Sequence, residues 1–287
     1  MSWRVVVVSG MCKLESKLGY LVCRGEEVRK VFLQEIDTLI IESTAVSLTA
    51  ALLCELIKNK VNVVFCDEKH NPQSQLVALY GRHDGSGCIK KQLCWDDGVK
   101  NEVWTEIVRL KIQKQYEHLL SLGLARAATL ANYLLEIKQG DCSNREGHAA
   151  KVYFNALFGV AFKRGDSTYV NNALDYGYAI LLSAFNRAIV GLGYNTQIGL
   201  AHKSEFNMFN LSCDLVEPFR VLVDRHVIGN MTKFDSDYKR YLCDLLNQTV
   251  VIGGEKHTVL DAVGIYCKSV FTALDSGDAS GIVCYEL

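Results

Sequence analysis

Short runs of β-branched and aliphatic residues fill the first third of the chain, separated by Gly, Lys and Glu. They include WRVVVVSG, GYLVCRG, EVRKVFLQEI, TLIIES and VNVVFCDE. Such runs are typical of β-strands. Just before the last run, TAVSLTAALLCELIKNK has apolar residues at 46, 48, 52, 53, 56 and 57, the spacing of one helical face. The pattern predicts a compact β-domain with one helix packed against the sheet.

The hydrophobic period changes in the second two-thirds of the chain. Apolar positions there recur at steps of three and four residues, in NEVWTEIVRLKIQKQYEHLLSLGL, RAATLANYLLEIKQG, HAAKVYFNALFG, NNALDYGYAILLSAFNRAIVGLG and DYKRYLCDLLNQTV. This period is that of amphipathic helices. The glycine-flanked apolar segment 172–193 is predicted to be the central buried helix.

The change of period defines the predicted domains. The glycine-rich, polar stretch GRHDGSGCIKKQ separates the two patterns and is typical of a linker. We predict an α+β fold with an N-terminal β-strand-rich domain over residues 1–82, a linker over 83–95 and a larger all-α-helical domain over 96–287.

Composition indicates a globular protein of the cytoplasm. The 287 residues are 49% hydrophobic and 22% charged, with only two prolines, which argues against long disordered tracts. The longest apolar segment is interrupted by Glu55 and is shorter than the roughly 20 residues of a membrane span. The short apolar run over residues 5–8 lacks a basic region and a cleavage site in register, so we expect a strand there and not a signal peptide. Eleven cysteines without any C-x-x-C pair, most of them in apolar strings, favour buried free thiols over disulfides or a zinc site. We expect no membrane association.

A dinucleotide site lacks support in the sequence, and the overall charge does not by itself indicate a nucleic-acid partner. Asp67 follows a strand-like run as a ribose-binding acid does, but VVVVSGMCKLESKLG has a single glycine where the phosphate loop requires three. The net charge of −1 gives no global sign of a nucleic-acid partner.

Four titratable residues of the helical region stand beside small or apolar residues. They are Glu146, His202, Asp214 and Glu217. Each alone has an ordinary explanation: Glu146, and Glu217 before Pro218, suit the first turn of a helix, and a lone histidine is usually a half-buried imidazole. One imidazole and two carboxylates together suit Mg²⁺ or Mn²⁺. The residues alone leave both interpretations open.

Three longer strings carry a resemblance to a known family. EGHAAKVYFNALFG, NNALDYGYAILLSAFNRAIVGLGYNTQIGLAHKS and FNLSCDLVEPFR resemble the CRISPR-associated integrase of spacer acquisition, especially the branch of type II systems. The resemblance implies that Glu146, His202 and Glu217 bind the catalytic metal ion, and that the helical domain is catalytic. We expect Asp214 to lie next to these ligands, where it holds a metal-bound water or positions a ligand.

The resemblance also implies partners and a reaction. It implies a homodimer that assembles with the small partner protein of the CRISPR adaptation module. Its reaction would join double-stranded DNA, the captured fragment, to the CRISPR repeat by attack of a 3′-hydroxyl on a phosphodiester. Two alternatives stay open: a stand-alone metal-dependent nuclease, and a non-catalytic DNA-binding scaffold whose carboxylates stabilise helix ends. Because a β-domain of about 80 residues buries little surface and leaves strand edges exposed, we expect it to be the dimerisation domain.

Contacts with DNA are predicted for cations and polar residues of the helical domain. We interpret Tyr178 as a core residue of its helix instead. The predicted DNA-contacting residues are Lys151, Arg164, Asn172, Tyr176, Arg220 and Arg225.

Overall fold

The computed structural model describes residues 4–79, 83–229 and 233–287. The chain divides into two compact units, Met1–Leu79 and Tyr80–Leu287. Strands dominate the first unit and helices the second, which confirms the predicted fold class. The predicted domain end at residue 82 lies outside the described residues.

Two four-stranded sheets and one α-helix build the first unit over residues 4–79. In one sheet the strand order is β1-β5-β7-β8, with β1, β5 and β7 parallel and β8 antiparallel. In the other the order is β4-β3-β2-β6, and only β6 runs parallel to its neighbour. The elements are β1 Arg4–Val8, β2 Cys12–Lys17, β3 Tyr20–Arg24, β4 Val28–Phe32, β5 Ile36–Ile41, β6 Val46–Leu48, α1 Ala50–Lys58, β7 Asn62–Cys66 and β8 Pro72–Leu76.

Helix α1 contributes its apolar face to the core of this unit. Leu52 and Leu56 are fully buried there among strand residues such as Leu14, Leu39 and Val63. The helix begins after Thr49, whose hydroxyl accepts the N–H of Leu52. The predicted helical face extended back to residue 46, and this part of the prediction is wrong. Residues 46–48 pair with β2 instead, and this pairing is not encoded in the local period.

The second unit consists of nine helices and a small sheet within its described residues. Its sheet has the strand order β10-β9-β11 and is entirely antiparallel. The elements are α2 Gly85–Leu93, α3 Asp97–Ser121, α4 Ala127–Glu136, α5 Arg145–Phe158, α6 Tyr169–Gly191, α7 Asn210–Val216, α8 Arg220–Gly229, α9 Ser236–Cys243, β9 Thr249–Ile252, β10 Glu255–Thr258, α10 Val259–Ser276 and β11 Tyr285–Glu286.

Helix α6 is the buried central helix that the sequence predicts. It begins after Thr168, whose side chain accepts the N–H of Asn171, and most of its residues are buried. Gly177 lets α8 approach closely, because a Cβ at this position would lie 2.4 Å from Cγ1 of Val223. The backbone of α6 therefore packs directly against a side chain of α8.

Two further segments differ from the sequence prediction. The residues predicted as a linker, 83–95, contain helix α2, in which Cys88 and Gln92 are buried. Gln92 bonds to the backbone of Asn195 and Ile198, so tertiary contacts hold this polar, glycine-rich segment in place. The helical pattern predicted over 237–250 ends with α9 and a 3-10 turn, and the chain then enters β9.

All eleven cysteines are free thiols, as predicted, but only five of them are buried, and Cys54, Cys94 and Cys142 are exposed. Within the described residues, no helix is long and apolar enough to cross a membrane.

Candidate metal centre

Glu146 stands in the first turn of α5, and the residues before the helix fix its backbone. The carboxylate of Asp141 accepts the N–H groups of Arg145 and Glu146 at 2.8 and 3.0 Å. Asn144, the residue before the helix, adopts a left-handed conformation with φ of 52°. Asp141 thus stabilises the N-terminus of α5 and sets the position from which Glu146 extends.

Glu217 lies in the 3-10 turn Glu217–Phe219 that joins α7 to α8. Pro218 follows it, as expected for a residue without an N–H to donate near the start of a helical turn. The sequence placed Glu217 in the first turn of a separate helix. In the structure the turn continues α7 into α8 without a loop, so no separate helix begins there. Its side chain is buried, and Oε1 accepts a hydrogen bond from Nε of Arg220 at 3.0 Å.

His202 lies on the loop between α6 and α7, and Asp214 of α7 holds it there. Oδ1 of Asp214 is 2.6 Å from Nδ1 of His202 and also accepts the His202 backbone N–H. Oδ2 accepts the N–H groups of Leu200 and Ala201. The ring of Trp104 packs edge-on against the imidazole, with 6.1 Å between the two ring centres. Asp214 is fully buried, whereas the His202 side chain is 45% exposed.

Lys111 of α3 brings the two glutamates together. Its Nζ contacts Oε1 of Glu146 and lies 2.5 Å from Oε2 of Glu217. No residue within the described ranges gives the buried Oε2 of Glu217 a well-directed hydrogen bond, so we attribute its stabilisation to the close charge of Lys111. Two carboxylates from separate helical segments therefore converge on one cation.

Sequence reasoning missed Lys111, although a signal was present. Lys111 follows Ile107 and Val108 by four and three residues, so it falls on the apolar face of α3. Gln115 and His118 continue the same buried face. A lysine on an apolar face, followed at helical spacing by further polar residues, indicates a buried polar site.

Burial and neighbouring charges shift the pKa values of the site in opposing ways. Burial acts against ionisation of Glu217, but Lys111 and Arg220 outweigh it and lower the pKa of Glu217 to about 2. Burial likewise disfavours the Lys111 ammonium, yet Glu217 and Glu146 raise the Lys111 pKa. The hydrogen bond to Asp214 raises the pKa of His202 despite its partial burial, with smaller effects from Glu217 and Glu146. The positive charges of Lys111 and Arg220 and the negative charges of the two glutamates thus stabilise each other.

The donor set fits a divalent cation. Glu146 and Glu217 offer oxygen atoms towards one point, and Asp214 occupies Nδ1 of His202, which leaves Nε2 as the nitrogen for an ion. Carboxylate oxygens with one imidazole suit Mg²⁺ or Mn²⁺. As the side chains stand, no group of three Asp, Glu, His or Cys residues in the described ranges is arranged to hold an ion, and Lys111 lies between the carboxylates.

The predicted DNA-contacting residues fall into two groups. The side chains of Lys151, Asn172 and Arg225 are exposed, so contacts of these three with DNA stay a prediction. Tyr176 is buried, with its hydroxyl 3.3 Å from Sγ of Cys243, and the prediction that it faces DNA is wrong. Helix α6 is buried on nearly all sides, as expected of the predicted central helix, and Tyr176 lies on one of its buried sides.

Arg164 and Arg220 are engaged within the protein. Arg164 pairs with Asp175 at 2.5 Å and donates to Asn171, and its guanidinium lies over the ring of Tyr178. Arg220 bonds to Glu217 and lies 4.7 Å from the centre of the same ring. Tyr178 is a core residue, as the sequence analysis proposed. DNA contacts of both arginines stay a prediction.

Comparison with known proteins identifies the family. Residues 5–240 match the family model described as CRISPR associated protein Cas1. A CRISPR-associated endonuclease Cas1 of Neisseria meningitidis serogroup C (strain 8013) is 37% identical over 274 residues, which cover 92% of this chain and 89% of that protein.

Solved structures share the fold at low sequence identity. A casposase bound to integration product superposes with a TM-score of 0.77 and 19% identity, covering 98% of this chain and 93% of the casposase. A Cas6-RT-Cas1--Cas2 complex gives a TM-score of 0.75 and 16% identity, and the match covers 97% of this chain but only 36% of the other. With the family-model match over most of its length, the chain belongs to the CRISPR-associated protein Cas1 family.

Proposed function

We propose that this protein is a metal-dependent DNA integrase and endonuclease that inserts short foreign DNA fragments into a CRISPR array. The observation that carries the proposal is the convergence of Glu146 and Glu217 on one cationic group, together with a histidine, His202, that Asp214 orients. The names of relatives support it, because the Neisseria protein is called an endonuclease and the casposase is bound to an integration product.

Each side chain of the site has a chemical task in this proposal. Glu146 and Glu217 would each give a carboxylate oxygen, and His202 its Nε2, to Mg²⁺ or Mn²⁺. When bound at these residues, the ion would supply positive charge to stabilise the phosphodiester as it reacts. Asp214 accepts the N–H of Nδ1, which keeps the lone pair on Nε2. Arg220 and Lys111 keep Glu217 ionised, as a ligand must be.

The transfer exchanges one phosphodiester for another. The 3′-hydroxyl oxygen of the fragment forms a bond to phosphorus of the repeat DNA while the bond from that phosphorus to its own 3′-oxygen breaks. The attacking hydroxyl gives its proton to solvent, and the departing 3′-oxygen takes one from solvent. If water replaces the fragment as nucleophile, the same site performs hydrolysis, which is the stand-alone nuclease alternative.

The first experiment compares His202→Ala with a control, His257→Ala, in the small sheet. Strand transfer of a labelled fragment into a repeat-containing plasmid should fall by at least roughly 10²-fold in His202→Ala, since the ion contributes several kcal/mol at the transition state. Thermal stability and DNA affinity should stay near wild type, because DNA affinity depends on cations outside the site. An active His202→Ala protein would exclude the metal-ligand assignment, whereas the His257→Ala protein should remain active.

A second experiment separates integrase from nuclease and from scaffold. A fragment with a 3′-terminal dideoxynucleotide has no attacking hydroxyl, so an integrase should leave it unjoined, whereas a nuclease should still cut the plasmid. A chelator should abolish strand transfer and leave DNA binding measurable. Binding without any metal-dependent chemistry would favour the scaffold.

The proposal includes a homodimer and a small partner protein. Support for the partner comes from the Cas1–Cas2 complex among the structural relatives. Sedimentation at micromolar concentration should show a dimer, and strand transfer should increase when the small protein of the adaptation module is added. A monomer at that concentration would contradict the predicted dimerisation role of the β-rich unit.

A further inference from the structure

Lys111 is a buried lysine whose ammonium occupies the point between the two glutamates. Only 8% of its side chain is exposed, and Nζ contacts Oε1 of Glu146 and Oε2 of Glu217. The proposed reaction assigns the carboxylates to a metal ion but leaves this lysine without a task of its own beyond its effect on Glu217.

The arrangement is electrostatically balanced without a metal ion. Two carboxylates that contact the same ammonium group repel each other, and the charge of Glu217, whose side chain is only 6% exposed, is strongly unfavourable without a partner. Arg220 neutralises Glu217 from the side of Oε1, at 3.0 Å. Lys111 is the cation that Glu146 and Glu217 share, so it provides the positive charge that holds both carboxylates together.

The same oxygen atoms serve Lys111 and the proposed ion. An ion that bound both glutamates at their converging oxygens would need Oε1 of Glu146 and Oε2 of Glu217, which Nζ contacts. A divalent ion and an ammonium group also repel each other at such a distance. The ammonium group and the ion therefore exclude each other from this position.

We infer that Lys111 is an internal counter-ion that closes the metal site in the metal-free protein and is displaced when a divalent ion binds. This inference rests on the ligand assignment of the proposed function. Lys111 positions both glutamates for an ion and at the same time weakens the apparent affinity for it. Metal binding thereby becomes a replacement of one cation by another rather than the filling of an open site.

Lys111→Met tests the inference, because methionine keeps much of the apolar stem and removes the charge. The readout is the Kd for Mn²⁺ in the absence of DNA, from titration followed by electron paramagnetic resonance. Lys111→Met should bind Mn²⁺ at least about 10-fold more tightly than wild type, since a repelling charge at contact distance is removed. Its melting temperature should be lower than wild type in chelator and should rise more than wild type on addition of Mn²⁺.

Lys114→Met is the matched control. Lys114 lies on the same helix, is also 8% exposed, and pairs with Glu117 at 2.9 Å instead of with the proposed ligands. Its substitution should leave the Kd for Mn²⁺ within about twofold of wild type, which distinguishes loss of a buried lysine from loss of this one.

The possible outcomes separate this inference from the proposed function. Equal or weaker Mn²⁺ binding by Lys111→Met, with intact binding by wild type, would overturn the counter-ion role alone. No Mn²⁺ binding by wild type and by Lys111→Met would overturn both proposals. If Lys111→Met folds only when Mn²⁺ is present, the inference is supported, since the ion then replaces the missing charge.

Lys111→Arg keeps the charge and should keep the weaker, wild-type-like affinity for Mn²⁺. A 10-fold gain in affinity in this variant would count against the inference.

Discussion

Asp214 determines the orientation of His202 through two contacts of one oxygen: Oδ1 lies 2.6 Å from Nδ1 of the ring and 3.0 Å from the His202 backbone nitrogen. The backbone contact fixes where the residue sits, and the ring contact fixes which nitrogen is left for other partners. Asp214 is thus both a structural anchor of the loop and the group that directs Nε2.

Asp214→Asn should impair metal binding and stability together. The amide group cannot accept at both of its atoms, so at least one N–H of the loop loses its partner, at a cost of about 1–3 kcal/mol. In the proposed function His202 is a metal ligand, so loss of its partner should lower the affinity for Mn²⁺ 10- to 100-fold. Titration with Mn²⁺ and thermal unfolding measure the two effects. Asp237→Asn, at a side chain that is 86% exposed, is the control and should change neither.

Gly177→Ala should destabilise the contact of α6 with α8. The added Cβ would lie 2.4 Å from Cγ1 of Val223, and a contact this short requires the helices to shift. We expect a loss of about 1–3 kcal/mol in the free energy of unfolding. Gly191→Ala, on the same helix with nothing within 4 Å of its added Cβ, should instead be neutral or slightly stabilising. Adding Val223→Ala to Gly177→Ala should recover part of the loss; no recovery would argue against the steric explanation.

Gln92→Ala should loosen the loop that carries His202. Gln92 donates to the carbonyl oxygens of Asn195 and Ile198 at 2.8 and 3.0 Å and accepts the N–H of Asn195. Leaving these half-buried backbone groups without partners should cost about 1 kcal/mol or more. Hydrogen exchange should show faster exchange over residues 195–202 than in the exposed control Lys90→Ala. Unchanged protection would mean that α2 does not hold this loop.

The pH dependence of stability should contain a contribution from Asp224. Burial raises the pKa of this carboxyl to about 6, against the hydrogen bonds from Tyr178 and Tyr153 and the charges of Arg220 and Arg164. Because the unfolded value is about 3.9, the folded state binds more protons between about pH 4 and 6, and stability falls as pH rises through this range. Above it, the ionised group costs up to about 3 kcal/mol.

Asp224→Asn removes this titration and provides the measurement. The difference in unfolding free energy, variant minus wild type, should increase from pH 4 to pH 7 in denaturant titrations. A difference that stays constant with pH would contradict the raised pKa. The exposed control Asp237→Asn should show no such increase.

The hydrophobic pattern of the sequence predicted the elements that are stabilised mainly by interactions between neighbouring residues. Helix α6 has both an apolar period and a capping threonine, and the sequence alone identifies it. In contrast, α2 is polar and rich in glycine, and the contacts that hold it come from residues about 100 positions away. Strand β6 pairs with β2, some 34 residues earlier, which no local period encodes.

The sequence analysis did not predict the hairpin of β9 and β10, although its residues carry a local signal for it. The run TVVIGGEKHT has β-branched residues on one side of two adjacent glycines, and Gly253 and Gly254 have φ values of 62° and 81°. A pair of glycines between two such segments is a signal for a hairpin, here β9 and β10.

The candidate site was predicted only in part, for a related reason. Glu146, His202, Asp214 and Glu217 stand out because a short motif surrounds each of them. Lys111 has no motif, and its position between two carboxylates depends on the packing of three helical segments. Tyr176 belongs to a helix that is buried on nearly all sides although it carries polar residues such as Asn171 and Asn186, so its polar positions do not mark an outer side.

Tyr285 has a consequence for the order in which the site is completed during synthesis. Its hydroxyl donates to the carbonyl oxygen of Pro218 at 3.0 Å, and its ring packs 4.7 Å from that of Phe219, beneath the turn that carries Glu217. A chain emerging from the ribosome exposes Glu146, His202 and Glu217 well before this tyrosine, which comes 67 positions after Pro218. The turn that carries Glu217 therefore lacks this support until translation has passed Tyr285, so this part of the site reaches its final packing only late in synthesis.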